Sequence, residues 1–160
     1  MRFNLVDRIV EVEPGRRIQA VKRLTLAEEY LADHFPTFPV MPGVLMLQAL
    51  VETGSWLLRV SDDFRFSVIV LREAKNVKYG AFMEPGRQMQ LNVELVEQEG
   101  PSAVLKGKGE VDGNSSVTAR FVLTRYNLQE RNAALKSTDE RLIAHWRACY
   151  SVLKGDLARC

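Results

Sequence analysis

The chain has 160 residues, a size that fits one domain with a real core, and its 46% hydrophobic and 26% charged content is that of an ordinary globular protein. A net charge of +2, with basic residues scattered rather than clustered, argues against a nucleic-acid partner. Cys149 and Cys160 make no disulfide framework, the opening MRFNLVDRIVEVEPG carries no secretory pattern, and the apolar run from Val44 to Leu58 is interrupted by Gln48 and Glu52, so a cytoplasmic protein without a membrane span is expected.

Residues 5–13 and 17–25 read as two strands of a hairpin around Glu13-Pro14-Gly15-Arg16. In the second strand Ile18, Ala20 and Leu24 share one face, on which Lys22 is the exception. Residues 26–42 read as loop, because Pro36, Pro39 and Pro42 exclude a helix or a central strand. Each proline fixes a φ angle, so the loop is stiff. Residues 43–59 read as a helix, apolar almost all round and therefore buried on most faces. Pro42 suits its start, and Arg59 near its end complements the dipole.

From Phe64 the pattern turns to β, first as a mixed strand over 66–79. After the turn Glu84-Pro85-Gly86-Arg87, the apolar Met89, Leu91, Val93 and Leu95 alternate with Gln90, Asn92 and Glu94, the period of a half-buried strand. Ala103 to Val111 and Val117 to Leu123 form the next two strands, joined at Asp112-Gly113, a tight hairpin signal. These three predict an antiparallel meander. Ser137 and Glu140 have capping-box spacing, and Leu142, Ile143, Trp146, Cys149, Tyr150 and Leu153 recur at helical spacing up to Lys154-Gly155. This amphipathic helix is expected on the sheet exterior or on a neighbouring subunit. The expected fold is α+β: a curved antiparallel sheet wrapped round one central helix, plus a C-terminal helix, with open strand edges that favour dimerisation.

The chemistry concentrates at the junction of stiff loop and apolar helix. His34 is a side chain that can accept a proton near neutral pH, although a lone loop histidine more often makes structural hydrogen bonds. Gly43 stands where the first helical N–H groups are free, and its missing side chain lets a ligand approach. Such amides polarise a carbonyl and stabilise an enolate, although Pro-Gly also simply starts helices. Gln48 and Glu52, four apart, share one face of an otherwise apolar helix, so each needs a partner or a role. His34 and His145 have no cluster at metal-ligand spacing, and no glycine-rich nucleotide loop occurs.

The run His34-Phe35-Pro36…Pro39-Val40-Met41-Pro42-Gly43-Val44-Leu45 resembles the signature of the 3-hydroxyacyl-[acyl-carrier-protein] dehydratases, the hotdog-fold group related to FabZ and FabA. The likeness covers residues 3–126, including the opening hairpin and the turns at Glu84-Pro85-Gly86 and Val111-Asp112-Gly113. It implies a hotdog dehydratase-like domain over 1–126 and an extension with an amphipathic helix over 127–160. It further implies a cofactor-free lyase of fatty acid or polyketide-like synthesis, converting a carrier-linked 3-hydroxyacyl thioester to the trans-2-enoyl product. The implied site lies at a homodimer interface, within a dimer or a higher oligomer. By motif position His34 is the base, Gly43 binds the thioester carbonyl, and the acid's seat falls on Gln48, which has no proton to give. Glu52 stands where these dehydratases often carry Gln. Two alternatives stay open: an acyl-binding partner subunit without turnover, and a hotdog thioesterase in which Glu52 activates water. Arg72, Lys75, Lys78 and Arg87 are candidates for docking an acidic carrier protein.

Overall fold

The computed structural model describes residues 4–155. Cys160, the first three residues of the opening segment and the end of the expected C-terminal extension lie outside the described residues. Six strands form one antiparallel sheet: β1 (Arg8–Glu13), β2 (Arg17–Arg23), β3 (Val68–Tyr79), β4 (Gln88–Glu99), β5 (Ser102–Val111) and β6 (Asn114–Tyr126). Their order is β1-β2-β4-β5-β6-β3, which leaves β1 and β3 at the edges. Register shifts in β1/β2, β3/β6, β4/β5 and β5/β6 bend the strands and curl the sheet. The β5–β6 turn has Asp112 at φ 50° and Gly113 at φ 80°, the left-handed pair that the Asp-Gly signal predicts.

Inside the curl lies α1 (Gly43–Ser61). Its depth is set by two small residues: a side chain on Gly54 would start 3.0 Å from the Phe121 ring, and one on Gly107 would start 3.1 Å from Leu50. Ala49, Leu50, Leu57 and Leu58 are fully buried. The helix's own hydroxyls cost little, because Thr53 and Ser55 donate to the carbonyls of Ala49 and Val51 at 2.7 and 2.8 Å. Lys22, the exception on the core face of β2, is buried and pairs with Glu28 at 2.6 Å. A six-stranded sheet round a central helix is the hotdog arrangement that the resemblance implies.

Three local expectations need correction. The 26–42 segment is not all loop, because Glu29–Ala32 forms a 3-10 turn ahead of the first of its prolines. The C-terminal helix α2 (Lys136–Lys154) starts without a side-chain cap, so the Ser137/Glu140 box does not form. A capping box forms instead at Asn127/Glu130, where Asn127 N–H donates to the Glu130 carboxylate at 2.9 Å. Asp139, within the predicted box, is drawn away by distant donors: it accepts from Leu128 and Gln129 N–H at 2.9 Å each and from the Ser67 hydroxyl. Burial pushes its carboxyl up, but these hydrogen bonds prevail and hold it below the usual carboxylate range.

The third correction concerns where α2 packs. It runs beside edge strand β1 and the 3-10 turns that precede it, and its side chains reach the C-terminal half of α1 rather than the outside of the sheet. Trp146 donates from Nε1 to the Ser67 carbonyl at 2.9 Å and meets Trp56 edge-on at 5.9 Å, while Tyr150 packs on Phe64 at 5.6 Å. The reason is geometric: a sheet covers one side of the helix it wraps, and α2 covers part of the other. Arg59 stands in the last turn of α1 as expected, and is buried under α2. Gly155, at φ 76°, ends α2 as predicted.

If α2 is part of the core, Trp146→Ala should lower stability by about 2 kcal/mol, less than for a fully buried tryptophan. His145→Ala, on the exposed side, should change it by less than about 0.5 kcal/mol. Urea unfolding checks both, and equal midpoints for the two variants would mean that α2 does not dock.

Candidate active site

His34 follows the 3-10 turn directly, and its N–H bonds to the Tyr30 carbonyl at 3.0 Å. The next residue, Phe35, sits at φ 58°, a conformation that bulky side chains rarely adopt, and turns the chain back so that Phe38 N–H reaches the Phe35 carbonyl at 2.8 Å. Held in this way, His34 Nδ1 lies 3.0 Å from the Val40 carbonyl. A carbonyl can only accept, so Nδ1 carries the proton, and Nε2 of the neutral ring keeps its lone pair. The ring is half-buried beside Phe35 at 4.3 Å.

Two residues after Val40, Pro42 (φ −55°) turns the chain into α1. Its carbonyl takes the Leu45 and Met46 amides at 2.9 and 3.1 Å. The Gly43 and Val44 amides precede the first intrahelical bonds and point out of the helix end. Gly43 also makes room for Tyr79 at the end of β3, since a side chain there would start 3.1 Å from the phenol ring.

Farther along α1, Gln48 is exposed and Glu52 half-buried, and both line a cavity of about 360 Å³ between α1, β3 and α2. His34 does not line it within one protomer. Glu52 Oε2 accepts from Leu5 N–H at 2.8 Å, which ties the N-terminal segment to the middle of the helix. Burial pushes the Glu52 carboxyl up to about 7, against the pull of that hydrogen bond and of Arg59. Arg59 is 6% exposed, with its guanidinium 4.1 Å from the Trp146 ring and 5.3 Å from the Trp56 ring. Burial draws it down to about 10, so it stays cationic at neutral pH.

Sequence reasoning missed Trp56, Arg59 and Trp146 as lining residues. Positions 48, 52, 55, 56 and 59 repeat at helical spacing, a signal of one shared face, but the covering helix α2 is distant in sequence. Among the expected docking residues, Lys75 pairs with Glu73 at 3.0 Å and Arg87 with Asp112 at 2.7 Å, all exposed. Such pairs are worth little and remain available to an acidic partner.

A family model described as a FabA-like domain matches residues 1–120. The chain is 36% identical over 117 residues to the 3-hydroxyacyl-[acyl-carrier-protein] dehydratase FabZ of Clostridium acetobutylicum, covering 73% of this chain and 83% of that protein. It is 38% identical over 111 residues to the Bacillus subtilis protein of the same name, covering 69% and 79%. Among solved structures, the dehydratase heterocomplex ApeI:P from Xenorhabdus doucetiae matches with a TM-score of 0.66 at 13% identity, over 83% of this chain and 90% of that one. A hypothetical thioesterase with coenzyme A from Streptococcus pneumoniae matches with a TM-score of 0.55 at 14% identity, over 75% and 85%. At these identities the structures share the fold alone.

The raised Glu52 carboxyl makes a signed prediction. The folded chain holds this proton more tightly than the unfolded one, so its stabilising contribution is complete below pH 4.5 and is lost as pH rises towards about 7. Relative to Glu52→Gln, the protein should lose about 1.4 kcal/mol per pH unit across that window, with flat differences on either side. Urea unfolding at stepped pH checks it, and a constant difference would contradict the burial.

Proposed function

This chain belongs to the FabA-like family, and from that membership we propose that it dehydrates 3-hydroxyacyl thioesters on acyl carrier protein to trans-2-enoyl thioesters, in fatty acid synthesis or a related chain-building route. The observation that carries this reading is the pinned imidazole of His34, with Nδ1–H on the Val40 carbonyl and Nε2 free to accept, on the loop that feeds the open amides at Gly43.

The reaction needs only proton transfer. The Gly43 amide receives the thioester carbonyl and stabilises the enolate charge as His34 Nε2 removes a proton from C2. The C3–O bond then breaks, a C2–C3 double bond forms, and hydroxide leaves. With Gln48 in the acid's seat, the proton that neutralises the hydroxide comes from the His34 imidazolium, and water departs. Gln48 donates a hydrogen bond that orients the 3-hydroxyl, and Glu52 assists through water. Because His34 and Gln48 do not share a cavity within one protomer, the site is assigned to two copies, His34 of one facing Gln48 of the other. The edge strand β3, with Val70 43% and Leu71 40% exposed, is the surface on which a homodimer would pair. Residues 1–126 make the dehydratase unit, 127–160 the extension, and the cytoplasm is the proposed compartment. Arg72, Lys75, Lys78 and Arg87 are proposed to meet the acidic carrier.

The purified protein should hydrate a crotonyl thioester. His34→Ala should lose about 100- to 10,000-fold, and Gln48→Glu should gain by restoring a general acid. No turnover by the wild type together with activity in Gln48→Glu would sink the enzyme reading in favour of an acyl-binding partner subunit. Because Glu52 is a carboxyl beside a cavity, thiol release from a saturated acyl thioester, lost in Glu52→Gln, would identify a thioesterase instead.

A further inference from the structure

The cavity beside Gln48 has an apolar wall and a buried cationic end. Val51, Ile69, Val70 and Leu71 supply the wall. At the far end, about 16 Å along the helix from Gln48 by helical rise, stands Arg59. Its two flanking indoles attract the charge through their π faces. A guanidinium's N–H donors, however, lie in its own plane, and a ring face is no hydrogen-bond acceptor for them in that plane. Arg59 Nε has no hydrogen-bond partner, and among the described residues no carboxylate forms an ion pair with it. Trp56, 3% exposed, likewise has an unpartnered Nε1–H in the same lining. Glu52, whose charge acts on Arg59, has one carboxylate oxygen bound to Leu5 N–H. A buried Arg59 Nε–H and a buried Trp56 Nε1–H, both without an acceptor in the same lining, are costly to leave unpaired.

We propose that this cavity binds the far end of an acyl chain that terminates in a carboxylate, with Arg59 as the anion-binding residue and the Trp56 indole N–H as the neighbouring donor. The inference rests on the dehydratase reading and narrows its substrate class to ω-carboxyacyl thioesters. Trp146 is the cover: its ring, edge-on to Trp56, lies 4.1 Å from the guanidinium and shields it from bulk water.

The test compares the full-length wild type, Arg59→Met and Arg59→Lys on 3-hydroxyoctanoyl and 3-hydroxyoctanedioyl thioesters. Binding of octanedioate and octanoate is measured by calorimetry alongside. The wild type should favour the carboxylate-ended thioester by about tenfold to a hundredfold in kcat/KM and bind octanedioate more tightly than octanoate. Arg59→Met should erase both preferences, and Arg59→Lys, which keeps the charge in a different shape, should keep part of them. Arg59→Met removes a charge that acts on Glu52 and costs stability, so the lysine variant, which keeps the charge, guards against a folding defect. Equal turnover of both thioesters in the wild type overturns the inference and leaves the dehydratase reading intact. Absence of turnover, with octanedioate binding that still depends on Arg59, overturns the dehydratase reading alone.

Discussion

The close approach of α1 to strands β5 and β6 is the constraint from which the rest follows. Gly54 and Gly107 meet where Leu50, Leu105 and Phe121 close on the helix, and any side chain at either position would push the layers apart. With the depth fixed, the helix turns its most apolar faces into the curl and its polar stripe, from Gln48 to Arg59, outwards. The same placement brings the helix start beneath Tyr79 and aims the Gly43 amide away from the core. The curved sheet thus acts as a jig: it decides which residues of one helix become core and which are left for chemistry.

Base and acid seat are supported in different ways. His34 takes its orientation from neighbours within a few residues, the Tyr30 and Val40 carbonyls and the positive φ of Phe35, so its geometry is local. Gln48 depends on helix phase and on whatever faces it from outside the protomer. A substitution on the loop therefore acts on the proton acceptor alone, whereas a change in helix packing moves the Gln48–Glu52 stripe as one body.

Where short-range chemistry decides a conformation, the sequence is a good guide. The Asp112-Gly113 hairpin, the alternation from Met89 to Leu95 and the glycine stop at Gly155 are all fixed by neighbours in the chain. Where distant groups compete, it is not. Asp139 sits inside a well-spaced capping box yet serves three donors outside its helix, because satisfying several buried donors outweighs closing one cap. Arg59 has the position of an ordinary dipole partner, and only the return of a helix about 90 residues later buries it. Lys22 looks like a flaw in its strand until Glu28 is seen beside it. The motif from His34 to Gly43 is legible because its spacing is local, whereas the cavity that Gln48 and Glu52 share with Trp146 is assembled across the whole chain.

The contact of Arg59 with both Trp56 and Trp146 ties two parts of the chain that are distant in sequence into one unit. The family match spans residues 1–120, and Trp146 stands beyond it. Without a covering helix, an arginine at position 59 would be wetted and nearly free of cost. Once covered, it becomes a desolvated charge whose worth depends on what lies above it. Position 59 and the tail are therefore epistatic. Grafting the tail onto a hotdog chain with an apolar residue at 59 would transfer the cover without the charge, and grafting the arginine alone would transfer the charge without its cover. Only an exchange of both would carry the feature from one scaffold to another.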